Sequence, residues 1–163
     1  MKVRDWTSPC DTDDIAGRTD GDLSLDLADI MMSMGLTDRA EETLRESIAE
    51  YPKQSLAHRL KLISLYRRTG QKEKFLEAAQ AMQAEFNVAA PIWSVEPEPT
   101  ANIRQPSLED YPHVMQQISR LWPQPACGDY LDKLLGDNRQ GTRTGFNLAI
   151  AEEILFLLSL LRV

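Results

Sequence analysis

Nucleophilic and metal-based chemistry needs cysteine, histidine or paired carboxylates at short spacings, and this 163-residue chain offers few of them. Its two cysteines, Cys10 and Cys127, stand far apart in no C-x-x-C pattern. Its two histidines, His58 and His113, cannot complete a tetrahedral set with them. Both thiols are expected to be reduced, as in a cytosolic compartment. A Cys127–His113 nucleophile lacks an orienting Asn or Asp. Glu152 and Glu153 supply half of a carboxylate metal site, with no answering carboxylate–histidine helix. Trp6, Trp93 and Trp122 are too scattered to form a base-stacking platform. The expectation is a chain without catalytic residues, metal or cofactor. The segment that could hold a small ligand is the loop 137–146, where Arg139 and Arg143 flank glycines ahead of a helix, an arrangement suited to an anion. It is no phosphate-binding P-loop, because no Lys-Ser/Thr follows and no strand precedes it. In the plainer alternative Asp137, Asn138, Arg139 and Arg143 cap neighbouring helices and pair with Glu152 or Glu153.

The elements that must position such residues are bounded by composition. With 42% apolar and 26% charged residues the chain can bury a core, as one domain or two abutting subdomains. The net charge of −7 disfavours phosphate backbones and anionic membranes as partners. Charge is also unevenly spread: −7 over residues 1–54, +3 over 55–88 and −3 over 89–163. Opposed signs of this kind are either two helix faces packed side by side or a polarised surface that orients a partner. The N-terminus lacks the apolar core of a signal peptide. The most apolar stretch, Leu148 to Leu161, is shorter than the ~20 residues of a membrane span and is interrupted by Glu152 and Glu153. It is expected to be a buried helix in a cytoplasmic protein.

Four runs of helical periodicity precede a proline-rich stretch. They are Leu23, Leu27, Ile30, Met31, Met34 closed by Gly35; Ala40, Leu44, Ile48, Tyr51 closed by Pro52; Leu56, Leu60, Ile63, Tyr66 closed by Gly70; and Phe75, Ala78, Ala79, Met82, Phe86. Asp20 or Asp22, Thr37, Ser55 and Gly70 or Gln71 stand where N-caps belong. Gly35 and Gly70 are 35 residues apart, each between two helices, and paired helices at a ~34-residue period are the signature of tetratricopeptide repeats. Ala40 and Leu44 in the first unit become Phe75 and Ala79 in the second, a small-for-large swap that conserves volume where helices interlock. The predicted fold is all-α, a tetratricopeptide-type solenoid followed by a C-terminal helical subdomain. Its concave surface should carry Leu25, Asp29 and Met32 from the first unit, with Leu60, Ser64 and Arg67 from the second. Asp26 and Asp29 argue against capture of a carboxylate and for an apolar or basic peptide, with Met32 as an adaptable contact.

The two units are similar to the repeats of FimV-type bacterial proteins. Leu25, Asp26, Leu27, Ala28, Met34, Gly35 and Ala40 match that family's first motif, and Leu60, Lys61, Leu62, Tyr66, Gly70, Phe75 and Ala79 match its continuation, over about residues 23–86. The resemblance implies an adaptor in type IV pilus assembly, twitching or cell-pole organisation. The family's peptidoglycan-binding module and membrane span are not in this sequence.

Four regions follow: a flexible acidic arm over 1–20, two repeats over 21–86, an extended proline-rich connector over 87–106 whose Ile92 and Trp93 are expected to dock on the surface, and a helical subdomain over 107–163. In the last, Ser107–Asp110 has capping-box form, Pro112 sits in a first turn, Pro123 stops one helix and Pro125 opens another. The expected activity is protein–protein adaptation without catalysis, in the cytoplasm. The rivals are a small acidic secretion chaperone and an anion- or nucleotide-responsive or catalytic domain built on Arg139 and Arg143.

Overall fold

The computed structural model describes residues 20–94 and 104–162, so all of the arm but Asp20, together with Cys10, Trp6 and residues 95–103 of the connector, lies outside the described residues. Seven α-helices are described: α1 (Asp20–Ser33), α2 (Thr37–Glu50), α3 (Leu56–Arg68), α4 (Lys72–Glu85), α5 (Pro112–Leu121), α6 (Pro125–Gly136) and α7 (Leu148–Leu161). Short 3₁₀ turns at Pro52–Gln54, Leu108–Asp110 and Arg139–Gly141 join them. The fold is all-α: among the described residues the extended pairing is an isolated bridge between Val88 and Phe146.

The repeat is visible in backbone hydrogen bonds. Gly35 and Gly70 have φ of 78° and 72°, left-handed values that leave an L side chain strained. Each lets the following amide turn back on its helix, Leu36 N to Met31 O at 2.8 Å and Gln71 N to Tyr66 O at 2.9 Å, the long bond of a Schellman motif. The helices then pack in chain order, α1 on α2, α2 on α3, α3 on α4, with α1 also on α3, as stacked hairpins do. Ala40, Leu44, Phe75 and Ala79 are all buried, at the volume-swapped positions. Polar contacts link equivalent helices of the two units, α1 to α3 and α2 to α4: Lys61 Nζ to Asp29 at 2.7 Å and Lys74 Nζ to Glu41 at 3.1 Å.

Two expectations need correction. The stripe Leu23, Leu27, Ile30, Met34 does not face the core: these residues are 43%, 45%, 56% and 68% exposed. Ala28 and Met32 are buried instead. Helix α1 carries two apolar seams at the same 4-3-4 spacing, one through Gly21, Leu25, Ala28 and Met32, and the seam with the smaller residues allows the closer helix approach. The capping expectation also shifts. Leu36, Ser55 and Gln71 hold the N-cap positions of α2, α3 and α4 without side-chain capping bonds. Ser55 Oγ instead donates to Pro52 O at 2.6 Å and accepts from Arg59 Nε at 3.0 Å.

The C-terminal helices are fastened to the repeats at Asn87. Its amide donates to Leu135 O at 2.6 Å, its Nδ2 to Leu134 O at 3.0 Å, and its carbonyl accepts from Phe146 N at 2.8 Å. Ala89 N donates to Phe146 O at 2.9 Å, and Asn138 Nδ2 closes the end of α4 by donating to Ala84 O at 2.7 Å. Residues 87–94 therefore run against the fold: Val88 is fully buried and Trp93 packs edge-on to Phe75 at 5.1 Å, while Ile92 stays 85% exposed. The capping box at Ser107 is present, and Glu153 reinforces it by accepting from Leu108 N at 2.8 Å. In α7, Ile150, Ala151, Ile154 and Leu158 are buried, whereas Phe156 and Leu160 face outward.

Candidate functional site

The start of α1, the α2–α3 turn and the start of α3 face the ends of α4, α6 and α7 across a cleft of about 830 Å³. That volume lies in the usual range for a ligand site. Leu25, Leu56, Ala57, Phe86, Leu135, Leu155 and Leu158 give its walls their apolar part, and Tyr51, Gln54 and His58 also line it. Four carboxylates, Asp20, Asp22, Glu85 and Asp132, border it, against two cations, Lys53 and Arg162. Glu85 is already held by Arg59 at 3.0 Å. Arg162 reaches Asp132 only at 3.8 Å. Burial pushes the Asp132 carboxyl above its ordinary value, Arg162 opposes this and Asp129 adds to it.

His58 forms the inner part of one wall and ties α3 to α1. Its Nε2 lies 3.1 Å from Gly21 O and 2.8 Å from Ser24 Oγ, while Ser24 Oγ donates to the same carbonyl at 2.8 Å. A carbonyl can only accept, so the proton sits on Nε2. Nδ1 is then a bare acceptor, buried and without a partner among the described residues. Burial lowers the imidazole's pKa, with the Gly21 carbonyl and Asp22 pulling weakly the other way, so His58 is a neutral strut.

A smaller hollow of about 270 Å³ lies between α2, α3 and α4. There the buried Tyr66 hydroxyl accepts from Arg45 at 3.1 Å and donates to Glu41 at 2.9 Å. Burial alone would raise the Glu41 carboxyl, but the bonds from Tyr66 and Lys74 outweigh it and hold it low. These charges satisfy one another, which suits a structural network.

The residues expected to line the concave groove are distributed differently. Leu25 lines the cleft. Asp29 is engaged by Lys61, and Leu60 and Ser64 lie on α3, half-buried and exposed respectively. Arg67 is exposed, stacks 5.2 Å over the Phe75 ring and donates to Ile92 O at 3.4 Å. Met32 is corrected: at 8% exposure it belongs to the core and cannot be an adaptable contact. In the 137–146 loop, Arg143 turns inward to Asp137, 3.4 Å from its carbonyl and 3.8 Å from its carboxylate, and Glu153 is committed to Leu108, away from both arginines. Arg139 and Gln140 take left-handed backbone values of 46° and 59°. The Cys127 thiol is free and buried, and burial raises its pKa, which makes it a poor nucleophile.

Sequence reasoning missed Lys53, His58, Phe86, Asp132, Leu135 and Arg162 as neighbours. They come from stretches more than a hundred residues apart, and the residue that joins the two halves, Asn87, carries no motif.

A tetratricopeptide repeat family model matches residues 16–63, which among the described residues covers α1, α2 and the first part of α3. No curated protein and no solved structure matches the chain significantly. The match and the stacked hairpins agree on a tetratricopeptide-type helical repeat, a class whose surfaces bind other polypeptides. Among the described residues no helix is long and apolar enough to cross a membrane.

Proposed function

We propose that this chain is a non-enzymatic protein–protein interaction adaptor whose cleft receives an apolar partner segment carrying Lys or Arg. The observation that supports this most is the cleft itself: apolar side chains from both halves of the molecule, bordered by four carboxylates and two cations. An apolar side chain would displace water from the walls at roughly 25 cal/mol per Å² buried. A neighbouring cation would meet Asp132 and the α1 carboxylates, and the surplus negative charge disfavours an acidic segment. The FimV-like residues of the repeats support a place in bacterial type IV pilus or cell-pole machinery, working from the cytoplasm.

Fluorescence anisotropy with a labelled peptide of alternating leucine and lysine tests the reading, with its leucine–glutamate counterpart as control. The lysine peptide should bind saturably, weaken with salt, and bind several-fold more weakly to Asp132→Lys, because a like charge at the rim repels it. Equal binding of both peptides, or no effect of Asp132→Lys, would remove the cleft from the account.

A further inference from the structure

The outer seam of α1 is unused by the cleft and by the core. Leu23, Leu27, Ile30 and Met34 lie along one stripe, and Leu36, 46% exposed, extends it beyond the helix. Together they open on the order of 500 Å² of apolar surface per copy, at the upper end of what monomers leave uncovered, and two such faces reach the ~1,000 Å² at which specific interfaces begin. The 4-3-4 spacing is that of a two-helix seam with a and d positions.

We infer that this face joins two copies of the chain through antiparallel α1 helices, Leu23 opposite Met34 and Leu27 opposite Ile30. Charge selects the direction. A parallel pair would align the acidic first turns, Asp20 and Asp22, and set Asp26 beside its own copy. The antiparallel pair separates the two acidic ends and sets each against the other copy's last turn, Ile30–Ser33, which carries no charge and is followed by Asp38 and Arg39 with no net charge. It also opposes the two helix dipoles. The seam runs along a helix of 14 residues, so the contact is short and the dimer is a modest one. From α1 the cleft takes Asp20, Gly21, Asp22 and Leu25, none of which belongs to the seam. The inference is independent of what the cleft binds.

Sedimentation equilibrium of the whole chain from about 1 to 300 µM tests it. Mass should rise from monomer toward dimer across that range, and Leu27→Glu should weaken the association tenfold or more while circular dichroism stays helical. If Leu27→Glu fails to fold, oxidative cross-linking replaces it: a mixture of Leu23→Cys and Met34→Cys chains should form the mixed disulfide in preference to Met34→Cys with itself. A chain that stays monomeric at every concentration, whether a partner or its own first residues cover the seam, overturns the inference. Preferential self-linking of Met34→Cys overturns the antiparallel arrangement.

Discussion

His58 shows how one buried side chain can set a response to pH. Its Nε2 proton serves Gly21 O and Ser24 Oγ, and a second proton on Nδ1 would find no acceptor among the described residues. The folded pKa lies below the ordinary value of about 6.5, so below that pH the unfolded chain takes up a proton that the folded chain refuses. Stability should therefore be fully present above about pH 6.5 and decline as the pH falls below it. Of the charged groups that line the cleft with it, Asp20 and Asp22 on α1, Lys53 before α3, Glu85 on α4 and Asp132 and Arg162 across the cleft, Asp22 opposes the lowering. Urea titrations at pH 7.5 and 5.5 should show a smaller loss for His58→Gln than for the natural chain; equal losses would detach the pH response from His58. None of this was legible in the sequence, where His58 is one polar residue on an apolar helix. Met32 was misplaced for a related reason: residue type marks a side chain as adaptable, and only packing shows whether it is accessible.

At the scale of elements, the helices and their turns were legible because glycine, proline and helical periodicity act locally. The 35-residue separation of Gly35 and Gly70 became two equivalent Schellman turns. The inward face of α1 was not legible, since two seams share one period and only neighbouring helices choose between them. The junction of the halves was equally hidden, being made by backbone groups of Asn87, Ala89 and Phe146 and by the side-chain amides of Asn87 and Asn138, which form no motif. Gly145 is the sensitive point there. With φ of 84°, a Cβ on it would lie 2.6 Å from both Ala89 N and Val88 C, whereas one on Gly70 would meet nothing within 4 Å. Gly70→Ala should cost about 1–2 kcal/mol, the strain of the left-handed backbone alone. Gly145→Ala adds a backbone clash and should cost more, about 3 kcal/mol or above. Thermal or urea unfolding of the two variants checks the order; equal costs would mean that the bridge yields easily.

The whole molecule has two unlike surfaces. One is the acid-bordered cleft between repeats and C-terminal helices, and the other is the apolar seam on the far side of α1. The repeat fold was legible from the spacing of the glycines. The cleft was not, because it forms only when residues 20–58 meet residues 85–162. The measurement that bears most directly on the central claim is a ¹⁵N–¹H correlation spectrum of the labelled chain, titrated with the leucine–lysine peptide. Saturable shifts gathered at Gly21, Leu25, His58, Leu135 and Leu158, on both walls, are the predicted result. Shifts confined to the Arg139–Gly145 loop or to the Arg45–Tyr66 hollow, or no saturable shift at all, would contradict it.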